Sequence, residues 1–306
     1  MGSLEVVRGR VLRSVGGVYS VELDDGGLVD CAVRGRLKRQ KVIGKVAVGD
    51  AVEIERTPEG TGVIKSLLPR SSRLSRRSAD GRREQIIAAN VDQLAAVFSV
   101  RQPEPVFELI DRFLVLAEES DIGAFIVVNK TDLAVETATA SAFAEYERVG
   151  YPVLFTSAKT RRNLGQLGER LGRRVTLFVG PSGTGKSSLL NALQPGLGLR
   201  IGEISKAIQR GRHTTVSASL HRLDIGGYVV DTPGLGKLKF WEVGEHDLAW
   251  CFPDFRALVG HCRFPDCQHT HEPDCAVAEA VEEGKLSARR YESYRKLIAE
   301  AQSDQR

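Results

Sequence analysis

Residues 180–189 read GPSGTGKSSL, and they follow a short apolar run, VTLFV. Gly180, Gly185, Lys186 and Ser187 match the spacing G-x-x-x-x-G-K-[ST]. In proteins with this motif a glycine-rich turn joins a strand to a helix. The glycines let backbone N–H groups surround phosphates, the lysine can neutralise β and γ oxygens, and the serine can bind Mg²⁺. The segment predicts a phosphate-binding loop, with further contacts from Ser182, Gly183, Thr184 and Ser188.

Residues 129–132, NKTD, end another apolar run, FIVV. The carboxylate of Asp132 can accept hydrogen bonds from the ring N–H and the exocyclic amine of guanine. Adenine presents an acceptor where guanine has its ring N–H, so the carboxylate would be left without a partner. The cost of that unpaired charge makes the site prefer guanine strongly. A third apolar run, YPVLFT, leads into residues 157–159, SAK, whose backbone can meet the guanine carbonyl. Together the two segments predict a guanine site made of Asn129, Lys130, Asp132, Ser157, Ala158 and Lys159.

The segment DTPG at 231–234 follows the apolar run YVV. Asp231 is placed to hold Mg²⁺ through water, and the N–H of Gly234 can reach the γ-phosphate. Upstream, GRHTT at 211–215 supplies hydroxyls that can reach the same metal. An ordinary polar loop remains the alternative for that segment, because threonine is common in loops.

Four of the five cysteines lie in the last 56 residues, and three of them fall within CRFPDCQHTHEPDC at 262–275. In a reducing compartment this pattern indicates one structural Zn²⁺ ion with three Cys ligands and one His ligand. The cysteine ligands are Cys262, Cys267 and Cys275. His261, His269 and His271 all lie in or beside the segment, so the spacing alone leaves the histidine open.

The elements that must position these residues fall into several units. Short alternating strands over residues 4–67, with a DDGG turn, predict a five-stranded OB-type barrel. Tyr19 is the only aromatic residue before Phe98, so a barrel that binds RNA should follow phosphates and not stack bases. Strand and helix patterns then alternate, which predicts a mostly parallel sheet with flanking helices. The expected division is a barrel at 1–69, an Arg/Ser-rich linker at 70–85, an α/β domain at 86–240, and a zinc-binding and helical domain at 241–306.

The net charge of +4 is unevenly distributed, because residues 244–306 carry 8 Lys and Arg against 12 Asp and Glu. Residues 34–45 hold six cations and no acid, and residues 70–83 hold six arginines and one aspartate. Each cluster alone fits a solvated basic loop, but two together favour a polyanion such as RNA. No apolar run approaches the roughly 20 residues that span a bilayer, and the start of the chain lacks the apolar core of a signal peptide. We expect a cytoplasmic protein with no membrane partner.

The motifs occur in an order that differs from that of most GTPases. Both base-binding segments come before the phosphate loop, as if a small GTPase had been cut ahead of its fourth motif and rejoined. With the barrel before it and the Cys/His segment after it, the chain resembles the circularly permuted GTPases of the small-ribosomal-subunit-dependent GTPase A family (RsgA). AANVDQ at 88–93, NKTDL, GPSGTGKSSL, GRHTT and DTPG all resemble blocks of that family. The resemblance implies a multidomain α/β protein: an OB-type barrel, a permuted P-loop GTPase domain and a zinc-binding helical domain.

The resemblance also implies residue roles. It selects His269 as the histidine ligand of zinc and implies a catalytic role for His213. The alternative for His213 is a loop histidine that touches RNA or nothing. Thr215 is the expected switch ligand of Mg²⁺ beside Ser187, with Thr214 as the alternative because Thr-Thr-Val replaces the family's run of three threonines. Leu235 stands where many GTPases carry the glutamine that orients water, so slow intrinsic hydrolysis is expected. Gly183 lies where some potassium-dependent GTPases carry asparagine, so no potassium site is expected.

For function, the resemblance implies a GTP hydrolase that acts in late maturation of the small (30S) ribosomal subunit. The GTP-bound form would bind the subunit and its 16S rRNA, and subunit-stimulated hydrolysis to GDP would release it. Other assembly factors are further candidate partners, and a monomer is expected. The rivals are a GTPase of the large subunit, an RNA-binding module gated by nucleotide with negligible turnover, and a P-loop kinase, which NKTD disfavours.

Overall fold

The computed structural model describes residues 6–33, 46–58, 60–77, 84–133, 136–197, 218–232 and 248–303. Its first unit is a five-stranded barrel formed by β1 Val6–Val15, β2 Val18–Leu23, β3 Leu28–Val33, β4 Ala51–Arg56 and β5 Gly62–Leu67. The strands pair in the closed order β1-β2-β3-β5-β4-β1, with only β3 and β5 parallel. Alternation of apolar and polar residues points one side of each strand inward, and that side includes Val11, Val21, Val52, Ile54 and Ile64. The barrel predicted from the sequence is confirmed.

The stretch expected to be a linker contains paired strands. β6 Arg73–Arg77 and β7 Glu84–Ala89 form an antiparallel two-stranded sheet. Leu74 is buried in the main core, and Ser75 Oγ donates to Glu84 Oε1 over 2.5 Å. Arginine and serine dominate this segment, so its apolar pattern is too sparse to reveal a hairpin from sequence.

The central unit is an open α/β sheet in the order β10-β9-β8-β11-β13-β12. Its strands are β8 Gln93–Ser99, β9 Gly123–Asn129, β10 Val153–Phe155, β11 Val175–Val179, β12 Ser219–Arg222 and β13 Tyr228–Asp231. All neighbours are parallel except the β12–β13 hairpin. The helices are α1 Phe107–Glu119, α2 Glu136–Val149, α3 Leu164–Leu171 and α4 Lys186–Leu193.

Helices cover both faces of this sheet because its central strands are apolar on both sides. Leu94, Ala96 and Phe98 of β8 belong to the core under α1 and α2. Ala95 and Val97 of the same strand belong to the second core, under α3 and α4. The carboxyl ends of β8, β9, β10, β11 and β13 therefore meet at one edge, which is where such sheets bind ligands.

The barrel is continuous with this sheet. β1 pairs with the free edge of β12, where Arg13 lies opposite Ser219. Glu22 of the barrel accepts hydrogen bonds from Arg222 Nη1 and Tyr228 Oη, each 2.6 Å long. A second connection joins Asn90 Nδ2 to the carbonyl of Gly49 over 3.0 Å. The first contacts hold the barrel against the β12–β13 pair, which ends at Asp231, and the last holds it against the segment before β8.

The C-terminal unit begins, within the described residues, with a 3₁₀ turn at Leu248–Cys251 and contains α5 Ala276–Glu282 and α6 Ala288–Ser303. Its core includes Phe252, Phe255 and Tyr294, and Val115 of α1 completes it. Arg290, 1% exposed, bonds Asp111 of α1 and Asp254 of its own domain. The C-terminal unit therefore packs directly on the α/β domain.

Among the described residues, no helix combines the length and apolar character that crossing a bilayer requires. The basic segment 34–45 and the residues His213, Thr214, Thr215, Gly234 and Leu235 lie outside the described ranges.

Candidate functional site

The phosphate loop runs from β11 into α4, as its sequence predicts. Gly180 has φ +140°, and a Cβ there would lie 2.0 Å from the Val97 carbonyl oxygen. Gly185 has φ +93°, and a Cβ there would lie 2.3 Å from Asn129 Nδ2. Both positions exclude any side chain, so the backbone can stay close to its neighbours and to a bound anion.

Lys186 opens α4 and turns its ammonium group back over the loop. Its Nζ donates to the carbonyls of Gly180 and Pro181 at 2.7 and 2.8 Å. Burial lowers the pKa of Lys186 to about 8, and the nearby charge of Asp231 opposes that shift. A partly buried cation at the start of a helix, where the first backbone N–H groups are free to bind a ligand, suits an anion, which would favour the charged form of the lysine. Ser187, the expected Mg²⁺ ligand, is buried next to it at 7% exposure.

Asn129 joins the three predicted motifs. Its side chain is 1% exposed, and Nδ2 donates to the carbonyl of Thr184 in the phosphate loop over 2.9 Å. Its Oδ1 accepts from the backbone N–H of Ala158 at 3.2 Å. One amide thus holds the phosphate loop, the NKTD segment and the Ser157–Lys159 segment in register.

Asp132 is the residue expected to bind guanine. Its side chain is 15% exposed, Oδ1 accepts a 2.6 Å hydrogen bond from Ser157 Oγ, and Oδ2 lies 3.9 Å from Lys159 Nζ. Ser157 is fully buried and also receives the N–H of Thr160 on its hydroxyl. The carboxylate is therefore oriented by a neighbour while it still faces the opening.

Together these segments line a cavity of about 530 Å³. The predicted residues at its wall are Asn129, Lys130, Asp132, Ala158, Lys159, Gly185 and Ser188. The wall also contains Leu133, Asn191 and Ala192, which sequence reasoning missed. Helical spacing could have found the last two, because they lie three and four residues after Ser188 on α4.

The turn between β8 and α1 contacts both the NKTD segment and the phosphate loop. Lys130 Nζ donates to the carbonyl of Gln102, and Val100 N–H donates to the carbonyl of Asn129 at 3.0 Å. A Cβ at Gly183 would lie 3.6 Å from Pro103 Cδ. The sequence contains no motif for this turn, because its role depends on backbone carbonyls and on packing.

Asp231 ends β13 beside the phosphate loop, with Phe178 of β11 as its parallel neighbour. Burial raises the pKa of Asp231, and the charges of His221 and Lys186 oppose the rise. Burial lowers the pKa of His221, whose Nε2 lies 2.9 Å from Ser219 Oγ. Thr232 Oγ1 is buried and has no hydrogen-bond partner among the described residues. A largely buried carboxylate near Lys186 fits a divalent cation, whose positive charge would favour the ionised carboxylate.

The Cys/His segment forms a compact cluster of Cys262, Cys267, His269 and Cys275, whose ligand atoms all lie within 4.8 Å of one another. His269 Nδ1 lies 3.4, 3.5 and 3.4 Å from the sulfurs of Cys262, Cys267 and Cys275. The sulfurs of Cys262 and Cys275 are 3.9 Å apart. Tetrahedral zinc with its usual bond lengths requires about 3.6 Å between nitrogen and sulfur and about 3.8 Å between sulfurs.

These distances fit a closed Cys₃His zinc site. Of the three histidines in and beside the segment, His269 is the one in this cluster. The residue is 3% exposed, which agrees with an interior ligand. Burial raises the pKa of Cys267 to about 12, so a cation is needed to make thiolates there.

Comparison with known proteins agrees with this arrangement. The family model for the RsgA GTPase matches residues 67–241, and the model for the RsgA N-terminal domain matches residues 8–64. A protein of Gemmatimonas aurantiaca named small ribosomal subunit biogenesis GTPase RsgA is 46% identical over 293 residues, covering 94% of this chain and 95% of its own length. A protein of Moorella thermoacetica with the same name is 43% identical over 294 residues, covering 96% of this chain and 97% of its own.

Solved structures show the same fold over nearly the whole chain. The crystal structure of YjeQ from Thermotoga maritima matches with a TM-score of 0.81 at 37% identity, covering 97% of this chain and 98% of that one. YloQ, described as a circularly permuted GTPase, matches with a TM-score of 0.76 at 31% identity, covering 98% and 96%. The motif order, the cavity and these matches lead to one conclusion: the chain belongs to the RsgA GTPase family and is a circularly permuted GTPase.

Proposed function

We propose that this protein hydrolyses GTP to GDP during late maturation of the small ribosomal subunit. The observation that carries the proposal is the cavity in which Asn129 joins the phosphate loop to both base-binding segments. The relatives from Gemmatimonas aurantiaca and Moorella thermoacetica, which this chain matches almost end to end, are named for biogenesis of that subunit.

In the proposed site, Asp132 accepts from the ring N–H and amine of guanine, and Ala158 N–H meets the guanine carbonyl. Backbone N–H groups of residues 182–188 bind the phosphates, and Lys186 neutralises their oxygens. Ser187 and Thr215 would hold Mg²⁺, with Asp231 behind them; the ion, when bound, neutralises charge that builds on the phosphates. Thr214 remains the alternative to Thr215.

His213 is our proposed catalytic residue, since Leu235 has no group that can orient water. Gly234 N–H would contact the γ-phosphate. We propose that rRNA contact places the 211–215 segment over the nucleotide, which makes turnover slow in free protein and fast on the subunit. Charge stabilisation and water positioning of this kind supply most of the rate in phosphoryl transfer.

We propose a division of labour among the domains. The barrel (1–69) and the basic segment 70–85 bind 16S rRNA, the domain at 86–240 hydrolyses GTP, and the zinc-binding domain (241–306) adds a second contact to the subunit. The zinc ion would be structural, because four protein ligands leave no open position. Other assembly factors are candidate partners, and a cytoplasmic monomer is the proposed working form.

The test is GTP turnover by the purified protein, alone and with small or large ribosomal subunits, at low and high salt. Small subunits should accelerate turnover, large subunits should not, and high salt should remove the effect because it weakens phosphate contacts. His213→Ala should lose the acceleration and keep GDP affinity, whereas Arg148→Ala, at an exposed position of α2, should behave like wild type. Equal rates with and without small subunits would refute the ribosomal part of the proposal.

A further inference from the structure

A third basic segment lies on the α/β domain, apart from the two that precede it in the chain. Residues 159–174, KTRRNLGQLGERLGRR, contain six cations and one acid. They form the loop after the base-binding segment, helix α3 and the turn that leads into β11. This concentration of charge lies on one side of the sheet, beside the nucleotide cavity at Lys159.

Packing accounts for one face of α3. Leu164, Leu167 and Leu171 are buried against the second core. The cations lie elsewhere: Lys159 is 82% exposed at its side chain, and Arg161, Arg162, Arg173 and Arg174 are exposed. The buried leucines therefore explain why the helix forms, and the exposed arginines are not needed for it.

Three of the basic residues, Lys159, Arg170 and Arg174, make contacts other than a close ion pair with a carboxylate. Arg174 Nη1 donates to the neutral Gln93 Oε1 at 3.0 Å, and the guanidinium of Arg170 lies 5.1 Å from the centre of the Phe125 ring. Lys159 has a carboxylate partner in Asp132, at the loose distance of 3.9 Å. Glu169 is the one acid within the segment.

Two of these arginines have a left-handed backbone conformation, which is energetically unfavourable for a residue with a side chain. Arg161 and Arg173 both have φ +59°, a region that glycine and asparagine adopt more easily. One lies just before α3 and the other just after it, so the eight-residue helix separates them by about 12 Å or more. Duplex nucleic acid presents about one charge per 1.7 Å of its axis, so a surface of this length faces several phosphates.

We propose that the surface formed by residues 159–174 binds the phosphodiester backbone of small-subunit rRNA. The exposed charges of this surface are cations apart from Glu169, and the segment contains no aromatic residue, which suits phosphates and not unpaired bases. The surface also abuts the β12–β13 hairpin: a Cβ at Gly168 would lie 3.6 Å from Ile225 Cδ1, and one at Gly226 would lie 3.8 Å from Arg173 Cγ. RNA bound here contacts the element that ends at Asp231. The inference rests on the proposed function and adds a contact surface to it.

The experiment measures binding of the GTP-analogue-bound full chain to purified small ribosomal subunits at a series of salt concentrations. The variant is Arg161→Gln with Arg173→Gln, and the control is Arg148→Gln, which removes an exposed charge from α2 on the opposite face of the sheet. Each lost phosphate contact reduces the slope of log K against log salt by about 1. We expect the variant's slope to be shallower by about 2, the control's slope to match wild type, and GDP affinity to be equal in all three.

Equal slopes and affinities for variant and wild type would overturn the inference and leave the proposed function intact. Wild-type protein that fails to bind small subunits at any salt would overturn both. If the double variant does not fold, Arg161→Gln and Arg173→Gln are tested singly, each with an expected slope change of about 1.

Discussion

Replacing Arg290 with methionine tests how the C-terminal domain is held on the α/β domain. Arg290 Nε and Nη2 donate to the two carboxylate oxygens of Asp254 at 2.9 and 2.7 Å, and Nη1 donates to Asp111 at 2.6 Å. Tyr146 and Phe252 lie under its guanidinium, 5.5 and 5.1 Å from the ring centres. The substitution keeps most of the side-chain volume and removes the only positive charge in direct hydrogen-bond contact with Asp111 among the described residues.

The expected loss of stability is large and depends on pH. Removing one partner from a buried ion pair costs about 3–5 kcal/mol, because it leaves the other charge uncompensated. Burial already raises the pKa of Asp111 to about 6, although Arg290 opposes the shift. Because the pKa of Asp111 is higher in the folded than in the unfolded protein, protonation of this carboxyl stabilises the fold at low pH. That contribution is lost as the pH rises through about 6. Without Arg290 the pKa rises further, so the variant continues to lose stability above that point.

The extra loss follows from linkage. Each pH unit between the wild-type and variant pKa values adds about 1.4 kcal/mol, so the deficit at pH 8 should exceed that at pH 6 by up to about 3 kcal/mol. Urea unfolding is followed by tryptophan fluorescence, since Trp241 and Trp250 both lie in the C-terminal part of the chain. Zinc content is measured at both pH values, so that metal loss is not mistaken for titration of the aspartate.

Two further variants make the prediction specific. Glu300→Gln removes an interdomain ion pair whose carboxylate is 53% exposed, and it should cost less than about 1 kcal/mol at either pH. Asp111→Asn added to Arg290→Met should remove the part of the pH dependence that comes from Asp111, and Asp254 is then the one former partner of Arg290 that still carries a carboxylate. A deficit for Arg290→Met that is the same at pH 6 and pH 8 would refute the reasoning.

Three other predictions concern the sites. Gly185→Ala should weaken GDP binding by roughly tenfold or more, since a left-handed backbone at alanine costs about 1–2 kcal/mol and the new Cβ meets Asn129. The control is Gly165→Ala, whose Cβ would lie in open space, and it should bind GDP normally in the same titration. Asp132→Asn should shift preference from GDP to xanthosine diphosphate, because the amide N–H can donate to the carbonyl that xanthine carries in place of the amine; an unchanged preference would contradict the assigned role. Cys275→Ala should abolish zinc binding and unfold the C-terminal core, as measured by metal content and near-ultraviolet circular dichroism; retention of a stoichiometric ion would contradict the Cys₃His assignment.

Sequence patterns located most elements of the α/β domain because apolar periodicity and glycine spacing are local signals. Apolar spacing predicts a helix over residues 106–119, and α1 spans Phe107–Glu119; it predicts another over 163–172, and α3 spans Leu164–Leu171. The same pattern predicts a last helix over 287–299, whereas α6 extends to Ser303, since a polar C-terminal turn carries no apolar pattern to mark its end. The hairpin of β6 and β7 was missed for the same reason.

Residue types at short spacings are enough to predict the chemistry of this protein, because the phosphate loop, NKTD, DTPG and the Cys/His segment are each local patterns. The permuted order can also be read from the chain, because it is an order of motifs along the sequence. Tertiary structure alone decided which groups meet: Asn129 bonding two other motifs, the barrel pairing with the edge of β12, and Arg290 inserted between Asp111 and Asp254. Those contacts join residues far apart in sequence, and their partners are often backbone atoms or side chains without a motif, so only packing of the folded chain specifies them.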